Sequence, residues 1–179
     1  MKLNKILFST LLPALVITGN VYAETIEEKF DKARQFLEQQ DYKRAFPIVK
    51  ELAEQGDVAS QFNLGLMYEE GQGVTQNYHQ AAKWYQKAAE QGDASAQYNL
   101  GFMHKEGHGV TQNYHQAVKW VQKAAEQGHV NAQILIGTMY GLGLGVRQNY
   151  ATAEIWIGKA CDNGSQDACD MYRKLKETE

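Results

Sequence analysis

Apolar and small residues recur along this chain in steps of three and four, the period of a helix face, and the pattern then repeats as a block every 36 residues. Gln61, Leu64, Gly65 and Tyr68 fall at i, i+3, i+4 and i+7 and predict a helix, A, over about 58–70. Ala81, Trp84, Tyr85 and Ala88 make a second stripe and predict a helix B after Asn77. Trp84, Trp120 and Trp156 stand 36 apart, and the same step relates Gly65, Gly101 and Gly137. Gly56, Gly92, Gly128 and Gly164 keep it too, as do Tyr78, Tyr114 and Tyr150, and Ala81, Ala117 and Ala153. Asp57–Gly92 and Asp93–Gly128 are identical at 26 of 36 positions, and His129–Gly164 is a more divergent third copy.

The polar positions punctuate the helices. Gly56 and Gly92 read as left-handed helix ends, and Asp57 and Asp93 as the N-caps that follow. Residues 71–76, with Gly71 and Gly73, form a loop. Asn77 with Gln80, and Asn113 with Gln116, have the spacing of a capping box opening helix B. Gly65 and Ala81 are expected to let the paired helices approach, with Trp84 filling space toward the neighbouring unit. One hairpin cannot bury its own apolar face, so the units must stack. The fold class is therefore all-α, a solenoid of helix–turn–helix repeats, with roughly nine helices and no strand pattern. Residues 24–56 form an N-terminal capping hairpin, with Thr25 and Glu28 opening its first helix and Ile48 in the tryptophan position. The repeats are 57–92, 93–128 and 129–164, and residues 165–179 form a closing helix.

Residues 1–23 do not fit this frame. Lys2 and Lys5, the apolar run Ile6–Ile17, and Val21-Tyr22-Ala23 read as a secretory signal peptide cleaved after Ala23. A run of twelve residues, broken by Ser9, Thr10 and Pro13, is too short for a bilayer core, which needs about 20, and no later segment could span one. Removing Lys2 and Lys5 from 18 Lys and Arg against 21 Asp and Glu leaves a net charge of −5. That balance disfavours nucleic acid and anionic lipid as partners. The chain is thus expected in the periplasm or outside the cell, where thiols oxidise. Cys161 takes the place of Ala89 and Ala125, and Cys169 that of Gln97 and Gln133. Those positions should face each other across a tight turn, which predicts a disulfide; two buried thiols are the alternative.

The run from Asn77 to Met103, followed by Glu106-Gly-His-Gly-Val110, resembles the Sel-one-like repeat family, relatives of the tetratricopeptide repeat with a longer inter-helix loop. The likeness covers about Ala53 to Cys169. It implies a right-handed α/α superhelix whose A helices line a concave surface, and adaptor or scaffold work in bacterial envelopes. The cysteine spacing also resembles the cysteine-rich Helicobacter branch. Alignment with the tetratricopeptide pattern puts Ala59, Phe62, Asn63, Leu66, Glu69 and Glu70 on the concave face of the first unit. Ser95, Tyr98, Asn99, Phe102, Lys105 and Glu106 follow in the second, and Asn131, Ile134, Thr138 and Leu142 in the third. Phe62, Leu66, Tyr98 and Phe102 are apolar on a face that stacking need not bury. Asn63 and Asn99 match the asparagine with which related repeats hold a peptide. Phe62 and Tyr98 could instead pack between successive A helices.

Other chemistry is weakly signalled. His104 and His108 are four apart, but Gly107 lies between them and the other units lack the pair, so no metal is expected. The Gly-x-Gly loops follow helices rather than strands and lack the Lys-Ser/Thr of nucleotide sites, so no cofactor is expected. Ser60, Ser95 and Ser165 have no lysine three residues on, against the Ser-x-x-Lys of β-lactam enzymes. The expectation is a non-enzymatic scaffold that engages a protein or peptide. The alternative is an envelope hydrolase acting on β-lactams or peptidoglycan.

Overall fold

A computed structural model describes residues 25–177 of the chain. The signal peptide expected at residues 1–23 lies outside the described residues. Among those described there are nine helices and no strand: α1 (Ile26–Glu38), α2 (Tyr42–Glu54), α3 (Val58–Glu70), α4 (Tyr78–Glu90), α5 (Ala94–Glu106), α6 (Tyr114–Glu126), α7 (Val130–Leu142), α8 (Tyr150–Asp162) and α9 (Gln166–Glu177). Each helix packs against its sequence neighbours, so the chain grows as a right-handed α-solenoid. Helices α3, α5 and α7 are the A helices of the three repeats and α4, α6 and α8 the B helices.

Side chains set the helix starts. The Asp57 carboxylate accepts from the Ser60 N–H at 2.7 Å, and Asp93 from the Ala96 N–H at 2.6 Å. A reciprocal capping box forms at Thr25 and Glu28. The box expected at Asn77 and Gln80 is only half made. Asn77 accepts from the Gln80 N–H at 3.0 Å, but its own N–H already donates to the Tyr68 carbonyl at 2.8 Å. Gln80 therefore has no cap N–H to satisfy. The same carbonyl-to-cap bond joins His104 to Asn113 and Tyr140 to Asn149, and it ties the end of each A helix to the start of its B helix.

Within a repeat, glycine sets the spacing of the two helices. A Cβ on Gly65 would lie 2.6 Å from the Tyr85 ring, and one on Gly101 3.1 Å from the Ala117 carbonyl oxygen. Between repeats, the tryptophans pack backwards. Trp84 joins Val49, Leu52, Leu64 and Met67, and Trp120 joins Ala82, Tyr85 and Ala88. Lysines three residues on stack over these rings: Lys87 Nζ lies 3.8 Å from the Trp84 centroid and Lys123 Nζ 4.7 Å from that of Trp120.

Two polar devices lock one unit to the next. Gln61, Gln97 and Gln133 are buried, and their amides donate to the carbonyls of Ala53, Ala89 and Ala125 at 3.1–3.2 Å. Their own oxygens accept from Gln91, Gln127 and Asn163 at 2.7–2.9 Å. At the end of the series Cys161 and Cys169 form a disulfide.

Candidate partner-binding surface

Equal positions in successive A helices make rows across one face of the solenoid. Leu66, Phe102 and Thr138 form one row, Glu69, Lys105 and Gly141 a second, and Glu70, Glu106 and Leu142 a third. Tyr85, Val121 and Ile157 of the B helices form its floor, and all three are buried. The rows bring together the apolar residues expected on the concave face, yet most of them are half-buried in contacts between repeats.

Over Tyr85 the face is polar and filled. The phenol donates to Glu69 at 2.5 Å, and the Asn99 side chain lies beside the phenol oxygen. Burial first, and the Glu69 carboxylate second, push the phenol far above its ordinary range, so it stays a donor. Asn99 is thus turned to a side chain of its own chain. Phe62 tilts against Tyr85 with centroids 5.8 Å apart, and Leu66 packs on the same cluster. Asn63 instead lines a groove of about 190 Å³ between α1 and α3, with Phe30, Ala33 and Val49.

Over Val121, Tyr98 stacks on His129 of the next repeat at 4.8 Å. Its other neighbour is Phe102, at 6.4 Å. Lys105 sits 5.5 Å over the Phe102 ring and pairs with Glu106, whose carboxyl it holds below the ordinary range. Glu38, Glu70 and Glu106 close three successive A helices, where the helix dipole is already negative.

Over Ile157 the face opens. Thr138 replaces Phe102, Gly141 replaces Lys105 and Leu142 replaces Glu106. The lost volume leaves a largely apolar groove of about 430 Å³ between α7 and α9, floored by Ile157 and walled by Tyr150, Met171, Leu175 and the side chain of Lys174. Leu142 and Tyr150 are 64% and 63% exposed, so the groove has an apolar rim. Thr138 and Leu142, expected on the concave face, line this groove, which the sequence reading did not anticipate. Its signal was the run of three size and polarity changes between the second and third units.

The remaining candidates are scattered. Half-buried His104 has its Nδ1 enclosed with no hydrogen-bond partner, while exposed His108 lies against the Tyr78 ring at 5.4 Å. Among the described residues no group of three His, Cys, Asp or Glu comes within ligating reach. Ser60 is buried, and the Ser165 hydroxyl accepts from the Ala168 N–H. Exposed His79 holds the Gly109 carbonyl oxygen through Nδ1 at 3.1 Å, so it joins two repeats. No helix among the described residues is long and apolar enough to cross a membrane.

The sequence model of the Sel1 repeat matches residues 58–93, 94–129 and 130–165. Among solved structures the chain is similar to a protective antigen of uropathogenic Escherichia coli displaying an SLR fold, at 36% identity and a TM-score of 0.79 over 83% of this chain and 32% of that one. It is also similar to a Sel1 repeat protein of Oxalobacter formigenes, at 36% identity and a TM-score of 0.75 over 78% of this chain and 58% of that one. Cysteine-rich protein B of Helicobacter pylori shares the fold, at 23% identity and a TM-score of 0.53 over 82% of this chain and 97% of that one. The chain spans about a third of the first of these and 58% of the second. No curated protein sequence matches it. Three in-phase matches, with the helix pairs and glycine contacts that produce them, place the chain in the Sel1 repeat family.

Proposed function

We propose that this chain is an exported scaffold that holds a protein or peptide partner on the concave face formed by its A helices. The observation that carries the reading is the apolar groove over Ile157, which opens on a face that repeat stacking leaves accessible. Phe62, Asn63, Leu66, Glu70, Tyr98, Asn99, Phe102, Lys105 and Glu106 continue the same face toward α3. Export is supported by the leader pattern at residues 1–23 and by the Cys161–Cys169 bond, which persists in oxidising compartments. A similar structure belongs to a protective antigen, which fits a protein met outside the cytoplasm.

A photo-crosslinking amino acid at Phe102, used in the native cell, tests this reading. A discrete protein adduct is expected, and its yield should fall in the Phe62→Ala/Leu66→Ala variant once circular dichroism has shown that variant to be folded. Absence of any adduct from Phe102 and from Leu142 would reject the scaffold reading. Turnover of nitrocefin by the purified chain would favour a hydrolase instead.

A further inference from the structure

The A-helix face changes character along its length. Toward α3 it carries Glu69 and Glu70, while Lys105, one helix on in the row of Glu69, pairs with Glu106 in the middle. Toward α9 it becomes the apolar groove of Thr138, Gly141, Leu142 and Ile157. The face therefore has a direction, acidic at one end and apolar at the other. Glu69 is also held in place, because the Tyr85 phenol occupies one of its oxygens and leaves the other to a partner.

Resting on the scaffold reading, we propose that the occupant is a linear segment of a partner protein with one large apolar side chain and a pair of basic residues. The apolar side chain enters the groove over Ile157. The basic residues lie against Glu69 and Glu70. Two A-helix spacings separate these places, about 20 Å at the usual interaxial distance of roughly 10 Å. An extended chain covers that span in about six residues, so this is the expected separation of anchor and basic pair. Charge complementarity fixes the sign of the partner, since a chain that carries −5 after loss of its leader repels an acidic segment at long range.

The test uses the purified chain and a fluorescein-labelled peptide with Phe and a Lys-Arg pair about six residues apart, together with its reversed sequence. Two control peptides replace Phe by Ser or Lys-Arg by Glu-Glu. One variant, Thr138→Phe/Gly141→Lys, fills the groove with the residues that the second repeat carries at Phe102 and Lys105. It is expected to fold, because a Cβ on Gly141 would meet only the Ala153 methyl, at 3.6 Å. A second, Glu69→Gln/Glu70→Gln, removes charge while keeping an oxygen for the Tyr85 phenol. Anisotropy should show binding in one peptide orientation, weakened about tenfold or more by the filled groove or by loss of Phe. The glutamine variant should weaken binding and flatten its salt dependence.

Equal binding of the Glu-Glu peptide, unchanged binding to the filled groove, or no binding of either orientation would overturn the inference. So would a dimer of the wild-type chain that the filled groove makes monomeric, because a second copy would then be the occupant. A native-cell adduct from Phe102 that survives Thr138→Phe/Gly141→Lys sinks this inference and leaves the scaffold reading standing.

Discussion

Cys169 is bonded to Cys161 at the place where, one repeat earlier, the Gln133 amide donates to the Ala125 carbonyl. The same pair of positions is joined by Gln97 and Ala89, and by Gln61 and Ala53. One link in the solenoid is thus made three times by a hydrogen bond and once by a covalent bond. The covalent link closes a loop of about nine residues, worth about 2.5 kcal/mol in the chain-entropy account. The variant Cys161→Ala/Cys169→Ala should lose about that much in urea unfolding. Cys161→Ala/Cys169→Gln rebuilds the hydrogen bond and should recover about 1 kcal/mol of it. Equal stability of the two variants would show that the glutamine link does not transfer.

The glutamines themselves are the next test. Gln97 donates to the Ala89 carbonyl at 3.1 Å and accepts from Gln127 at 2.8 Å. Gln97→Leu keeps the volume but removes both bonds, at a cost of about 1–2 kcal/mol, because the Ala89 carbonyl still accepts from the Gly92 N–H at 3.1 Å. Gln97→Glu replaces the donor with a second acceptor and should cost more than Gln97→Leu. The denaturant midpoints of the two variants check the order.

His129 makes stability depend on pH. Its Nδ1 caps α7 by accepting from the Ala132 N–H at 3.2 Å, a task that needs the neutral ring. Burial lowers its pKa below the ordinary 6.5, against the pull of Asp93. The unfolded chain therefore takes up this proton at a higher pH than the folded chain. The stabilisation is present above about 6.5 and is lost as pH falls through the folded value. Half-buried His104 is shifted in the same direction, with burial again the first cause. The urea midpoint should fall between about pH 8 and about pH 5, and His129→Asn should remove part of that fall while keeping the cap. An unchanged pH profile in His129→Asn would remove His129 from this account.

These residues mark how far the sequence could be read. The repeat length, the helix pairs, the role of Gly65 and the burial of Trp84 were legible, because a residue that recurs in phase reports a shared environment. The family resemblance rested on the same recurrence. Gln61 was read as one member of an apolar stripe, since its bond to a carbonyl eight residues back involves no side chain that a pattern could flag. Asn99 matched a peptide-holding asparagine, but the phenol that it reaches stands on another helix at a position held elsewhere by valine or isoleucine. The groove over Ile157 was hidden for a related reason. Thr138 and Gly141 are plain in the sequence, while the void depends on how α9 crosses above them.

His104 offers a stabilising change. Its enclosed Nδ1 has no hydrogen-bond partner, while Tyr68 and Tyr140 hold the same place in the other repeats. His104→Tyr removes a buried unsatisfied nitrogen and supplies the apolar ring that the flanking units use. A gain of about 1 kcal/mol is expected, together with a smaller loss of stability at acid pH. A lower melting temperature for His104→Tyr would show that the second repeat has repacked around the imidazole.

The glycines supply the sharpest contrast, because two with positive φ in adjacent repeats differ in what surrounds them. Gly92 and Gly109 both have positive φ, +99° and +68°. A Cβ on Gly92 would meet nothing within 4 Å, whereas one on Gly109 would lie 2.3 Å from the Tyr78 carbonyl carbon and oxygen. Tyr78 opens α4 of the preceding repeat, so this loop seats directly on the backbone of its neighbour. Gly73 seats on Tyr42 and Gly145 on Tyr114 in the same way. Gly92→Ala should cost only the left-handed strain of an alanine, about 1 kcal/mol. Gly109→Ala carries similar strain and must also push two backbones apart, so it should cost several times as much. It should also loosen the contact between the first and second repeats. Amide hydrogen exchange reads the difference: Gly92→Ala should raise exchange near its own turn, while Gly109→Ala should raise it at the start of α4 as well. Matching exchange patterns in the two variants would mean that the loop does not lock one repeat onto the next.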